Sequence, residues 1–282
     1  MTMLGVLPHL NDIPGDEFAG GFPKTRMVGI NCDQSSPEAL RQNFATGWVQ
    51  GLAKKIITKG RLVLWSIPFP GAGQLEAIVR GAHTVLYAFI AREILAAHPD
   101  DGSRIYVRLP WEFQLAGNPE NAMYDASGKP DPVLGGNAWR VIATIFRAIS
   151  PRFALIWSPS IERNQLFDPK LAWPGSDNVH FIWPDFYMGY TFKHQPGQYA
   201  TWFRPAFLAM RDFAQEKGKR FGLAETGTDH DDFAADFAAW TADALASPDG
   251  CEAIVMWENP DVIDCRVERL PAIAAILRKH FA

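Results

Sequence analysis

The chain has 282 residues, 48% of them apolar and 21% charged, the proportions of a globular protein that buries a sizeable core. A formal net charge of −4 gives no electrostatic case for nucleic acid or an anionic membrane as partner. No stretch approaches the ~20 apolar residues that a membrane-spanning helix needs. The first residues, MTMLGVLPHL, lack the basic-then-apolar layout of a secretory leader. The expected location is therefore the cytoplasm, or secreted or periplasmic if a leader has been removed. Three cysteines, Cys32, Cys251 and Cys265, form neither a disulfide framework nor a CxxC pair. They read as isolated buried thiols, with a Cys251–Cys265 bridge left open.

Short runs rich in Val, Ile, Leu and Phe alternate with helical patterns along the chain. The first run, 4–9, is followed by a Pro/Gly-rich connection over 10–25 that predicts no clear helix. Strand 26–32 leads to a helix over 37–57, with Ser36 as N-cap, Pro37 in the first position and Glu38 in the first turn. Strand 61–69 precedes the longest helical pattern, 74–98, whose apolar residues recur at three- and four-residue spacing. Strand 104–111 precedes helix 137–149, and strands 153–159 and 178–183 precede helix 201–218. Strand 220–225 is followed by helix 231–247, and strand 252–258 by the closing helix 271–281.

Near-continuous apolarity is what parallel strands show when helices cover the sheet. Eight such strands in this length predict a single (β/α)₈ barrel over residues 1–282. A doubly wound open sheet lacks its phosphate-binding turn here, since no GxGxxG or GxxxxGK[ST] follows any strand.

Two of the runs end on carboxylates. RIYVRLPWE, the fourth, stops at Glu112, and RFGLAE, the seventh, at Glu225. In a barrel of this kind the carboxyl ends of the strands face one another around one mouth. Two carboxylates there suit glycoside hydrolysis, one protonating the departing oxygen and the other attacking the anomeric carbon. The chain is also rich in Trp, with ten, and an indole can stack on the apolar face of a sugar as readily as it fills a core. Trp65, Trp157 and Trp183 each end a run and are open to either use.

At these residues the sequence resembles the retaining glycosidase clan with catalytic glutamates on strands four and seven, and within it glycoside hydrolase family 26. RLPWE at 108–112 is similar to that family's Arg-Pro-x-His-Glu, with Arg108 and Glu112 on its Arg and Glu. Gln114 falls near an Asn that often follows. NAWRVIATIFRAI resembles the family's next helix, and ALIWSP its fifth strand. WPGSDNVHFIWPDFY at 173–187 follows Tyr-Pro-Gly-Asp-x-x-Val-Asp-x-x-Gly-x-Asp-x-Tyr without a gap, which matches Asp185 and Tyr187. RFGLAETG resembles the nucleophile segment. The similarity runs in order from about residue 60 to 258.

The resemblance implies Glu112 as acid/base, Glu225 as nucleophile and Tyr187 as hydrogen-bond donor to Glu225. It also implies sugar contacts at Trp111, Gln114, Asp185 and Trp257, the last as an aromatic platform; Trp183 is a further candidate, and Arg108 is expected to hold a carboxylate below the mouth. The expected activity is retaining endo-hydrolysis of a β-linked polysaccharide, mannan-like or a bacterial exopolysaccharide, by a monomer needing no cofactor. The sequence also departs from the family. Trp111 replaces its His, which removes a polar sugar contact and points away from mannan, and His180 replaces an acidic residue. The aromatic-rich loop that follows the family's acid/base is also not reproduced, and AGNPENAMYDASGKPDPVLGG takes its place. The seven His show no HExxH spacing, so no metal is expected, and no GxSxG elbow is present. A non-catalytic polysaccharide-binding barrel is the alternative.

Overall fold

The computed structural model describes residues 1–9, 12–13, 15–33, 35–260 and 263–281. Its centre is a closed parallel ring. Strands β1 (Met3–Pro8), β2 (Thr25–Asn31), β3 (Leu62–Ser66), β4 (Ile105–Trp111) and β5 (Phe153–Ser158) pair in chain order. The sixth position is shared by two short strands, β6 (Phe181–Ile182) and β7 (Asp185–Met188), separated by Trp183 and Pro184. Both pair with β8 (Arg220–Thr228), and β9 (Cys251–Glu258) closes the ring onto β1. The architecture is the expected (β/α)₈ barrel of eight strand positions.

Alternation along each strand sorts the side chains. On β4, Ile105, Val107 and Leu109 face outward into the core beneath the helices, while Tyr106 points into the barrel. The barrel interior is filled by Leu7, Met27, Leu64, Tyr106, Ile156, Phe181, Trp183, Ala224 and Val255. Rings of Tyr106, Phe181 and Trp183 pack together at centroid distances of 5.3–5.7 Å. Glycine leaves the room for them: a Cβ on Gly222 would lie 2.8 Å from Trp183 Nε1 and 2.9 Å from the Ala253 carbonyl oxygen.

The helices differ from the sequence reading mainly in continuity. The helix expected over 37–57 is two, α2 (Pro37–Ala45) and α3 (Trp48–Thr58), broken at Gly47 with φ 72°. Ser36 does cap the first, its hydroxyl accepting from the Ala39 N–H at 3.0 Å. The 74–98 pattern likewise divides into α4 (Leu75–Val79) and α5 (Thr84–Ala97) around Gly81, φ 84°. The first connection, where no helix was expected, contains α1 (Asp16–Gly21), which buries Phe18; Leu10, Asn11 and Pro14 of that connection lie outside the described residues. Helices α6 (Pro132–Ile149), α7 (Arg204–Glu216), α8 (Ala234–Leu245) and α9 (Pro271–Phe281) complete the outer layer, and a π-helical turn over Tyr199–Phe203 leads into α7. All three cysteines are free and buried. Among the described residues no helix is long and apolar enough to cross a membrane, and no cluster of side chains could hold a metal ion.

Candidate active site

Two irregularities in the strands build the site. Strict alternation on β8 would put Gly222, Ala224 and Thr226 inside and turn Glu225 out. The pairing of β8 with β9 instead shifts register between Leu223 and Thr226, and this bulge brings Glu225 to the inner face directly after Ala224. A matching shift on β4, between Arg108 and Trp111, turns Trp111 toward the mouth. Glu112 then leaves the strand with φ 51°, a left-handed backbone that a non-glycine residue seldom adopts. Its N–H donates to the Ser158 carbonyl at 2.9 Å, which ties the turn to β5.

Arg108 forms the floor and is fully buried. Its Nε donates to Ser66 Oγ at 3.1 Å, Nη1 to both Asp185 oxygens at 3.1 and 3.3 Å, and Nη2 to Glu225 Oε1. The guanidinium also lies 4.6 Å from the centre of the Trp111 ring. Burial works against its charge, but the carboxylates of Glu225 and Asp185 outweigh it and keep the group protonated. The second Glu225 oxygen accepts from Tyr187 Oη at 2.8 Å. Both oxygens of Glu225 are thus acceptors in directed hydrogen bonds, one of them from a cation.

Glu112 is held differently. Its carboxyl has no hydrogen-bond partner among the described residues. Burial pushes its pKa up to about 8, reinforced by the nearby Glu225 carboxylate and by Glu162, against a lesser opposing effect of Arg108. At neutral pH it is a carboxylic acid.

Glu112, Glu225 and Tyr187 line a cleft of about 490 Å³ at the carboxyl ends of the strands, together with Trp111 and Trp257. Trp257 is part-exposed, edge-on to Tyr187 at 6.4 Å, and its Nε1 donates to the Asn259 carbonyl at 2.6 Å. Asp185 and Gln114 are fully buried and stand beneath the cleft rather than on its wall: Asp185 holds Arg108, and Gln114 Nε2 donates to the Ser160 carbonyl. Trp183 does not reach the cleft, because its inward-facing position lies a layer deeper, against Tyr106 and Phe181. Trp65 and Trp157 face the helices and are also fully buried.

The cleft has walls that the sequence reading did not single out. Asn31 ends β2, while Asn118, Glu162, Phe192 and Ile263 come from loops. Glu162 is a third carboxyl group, raised by burial to about 7. Its only sequence signal is a carboxylate in the loop after the fifth strand, which is what many solvated loops contain.

No family model matches the chain, and no curated protein is similar to it in sequence. Solved structures are similar in fold. GH26C from Muricauda sp. MAR_2010_75 superposes with a TM-score of 0.70 at 14% identity, covering 99% of this chain and 86% of that one. An endo-β-1,4-mannanase double mutant from Cellulomonas fimi gives 0.67 at 17% identity, over 99% and 71%. The catalytic domain of the GH26 endo-β-1,4-mannanase of Bacillus sp. JAMB-750 gives 0.62 at 14%, over 93% and 78%. The chain has the barrel fold of these glycoside hydrolase family 26 structures.

Proposed function

We propose that the protein is a retaining glycoside hydrolase that cuts a β-linked polysaccharide by double displacement. The observation that carries this reading is the contrast between the two carboxyl groups. Glu225 has both oxygens fixed by donors, whereas Glu112 has none and stays protonated at neutral pH. Glu112 gives its proton to the glycosidic oxygen as Glu225 attacks the anomeric carbon, so the C–O bond breaks and a glycosyl ester of Glu225 forms. Glu112, now a carboxylate, takes a proton from water. The water oxygen bonds to the anomeric carbon, and the Glu225 ester bond breaks. Arg108 and Tyr187 align the nucleophile in the first step and stabilise it as a leaving group in the second.

Several of the similar structures are described as endo-β-1,4-mannanases, which supports a glycan substrate. Trp111 argues against plain mannan, because an indole accepts no hydrogen bond and donates only one. Trp257, part-exposed on the wall of the same cleft, supports stacking of a sugar there.

The test is release of reducing ends from soluble β-mannans, β-glucans, β-xylans and bacterial exopolysaccharides. At least one glycan is expected to be cut, and Glu225→Gln is expected to lower that rate by roughly a thousandfold or more. Binding of a glycan without new reducing ends would instead favour a non-catalytic polysaccharide-binding barrel, the reading that Trp111 makes worth testing.

A further inference from the structure

The cleft does not end at the two glutamates. Glu162 and Phe192 also line a second, adjoining space, an arm of about 310 Å³ bordered by Arg163, Asn164, Lys193, His194 and Trp202. This arm is both cationic and aromatic. Three of the four exposed aromatic side chains among the described residues, Tyr190, Phe192 and Trp202, lie on its flanking segment. The Arg163 guanidinium sits over the Trp202 ring at 4.4 Å. A guanidinium held by its face keeps its in-plane N–H fork free for a bidentate partner. Neither the Arg163 nor the Lys193 side chain takes part in an ion pair or hydrogen bond among the described residues.

The backbone is arranged to present this corner. Lys193 has φ 60°, and the only other non-glycine residue with a positive φ among those described is Glu112. Glu112 lines the cleft and Lys193 the adjoining arm. The turn is tied by Lys193 N–H to the Tyr190 carbonyl at 2.9 Å and His194 N–H to that of Gly189 at 3.1 Å. Asp229, the acidic residue beside it, is occupied by the backbone N–H groups of Tyr190 and Thr191 at 2.9 and 2.7 Å. Among the described residues bordering the arm Glu162 is the one acid, and it faces the cleavage cleft as well. The Glu225 carboxylate therefore disfavours an anion at the cleavage position, while Arg163 and Lys193 attract one further along.

We propose that this arm is a subsite for a sugar bearing an anionic substituent, a carboxylate or a sulfate ester, so that the substrate is an acidic polysaccharide with a neutral sugar at the point of cleavage. Arg163 and Lys193 take the charge, and Trp202 and Phe192 take the apolar face of the ring. The inference rests on the glycan-cleaving reading of the adjoining site.

The test compares binding of the full chain to soluble β-1,4-glucan and β-1,4-mannan with binding to the same polymers oxidised, or sulfated, at C6 on a minority of residues. Calorimetry gives the affinities, and reducing ends are followed in the same samples. At least one charged form is expected to bind about tenfold or more tightly than its parent at low salt, with the advantage falling as salt rises. The carboxylated and sulfated arms identify the substituent. Both cations are exposed, so the Arg163→Ala/Lys193→Ala double variant is expected to fold and to lose most of that advantage. Equal affinity for charged and parent polymers, or an advantage that survives in the double variant, overturns the proposal. Neutral polymers cleaved with no preference for charge would leave the hydrolase standing and remove only this subsite. Charge-dependent binding that the double variant abolishes, without reducing ends from any polymer, would keep the ligand class and remove the hydrolase.

Discussion

Glu112 is where function and stability pull apart. A carboxyl group raised from 4.5 to about 8 stays protonated in the folded protein while the unfolded chain has released its proton. Between those two values the folded state binds more protons, so stability falls as pH rises through that window. The burial that disfavours the ionised form keeps in place the proton that acid catalysis needs. Glu112→Gln is therefore expected to raise stability at pH 8, by ~1–2 kcal/mol given that the group keeps an edge in water, and to leave it unchanged at pH 4. Thermal melts of both proteins at the two pH values check this; equal melting at pH 8 would mean that Glu112 is not a strained acid. Activity of the parent protein should decline as pH rises through about 8. The variant should still act on glycosides whose leaving group needs no proton. The position of this residue at the end of an apolar run is legible in the chain letters. Its φ, its lack of partners and the presence of Glu162 beside it are not, because each arises from how loops distant in sequence meet.

Among elements, β8 shows how much a single bulge decides. Period-two reading places Ala224 inside and Glu225 outside, so hydrophobic alternation alone would have turned the candidate nucleophile into the helical layer. Glu225 stands out in the sequence as the carboxylate ending the seventh apolar run and by resemblance to a nucleophile segment, and the register shift explains how it comes to face the cleft. Gly222, three residues earlier, supports the same stretch. Trp183 is wedged against Tyr106 and Phe181 and cannot retreat, and the Ala253 carbonyl belongs to the neighbouring strand. Gly222→Ala is expected to destabilise the fold by ~1–3 kcal/mol through overpacking, seen as a lower denaturant midpoint with an unchanged slope. An unchanged midpoint would show that the barrel interior is looser than this packing implies. Helix breaks at Gly47 and Gly81 went unread because apolar periodicity runs straight through them, and α1 was missed because six residues carry too little period to detect. Trp183 is an ambiguous strand-end ring in the sequence; in the fold it lies with Pro184 between β6 and β7, one layer below the mouth.

At the scale of the whole molecule, the alternation of apolar runs with helical patterns was enough to read the barrel, since burial on both faces leaves its mark in every strand. The similar structures share 12–18% identity with this chain over most of its length, so the architecture persists where few individual residues do. The candidate site draws Arg108 and Glu112 from one end of β4, Asp185 and Tyr187 from β7, Glu225 from β8 and Trp257 from β9. Only closure of the ring brings these together, and it leaves a cleft with three carboxyl groups, Glu112, Glu162 and Glu225, on its walls. The central claim is that Glu225 becomes covalently bonded to the sugar. The direct measurement is peptide mass spectrometry after incubation with an activated 2-deoxy-2-fluoro glycoside of the sugar found at the cleavage position. The account predicts one added glycosyl group per chain, on Glu225. An adduct on any other residue, or an enzyme that turns over yet releases products of inverted configuration, would contradict it.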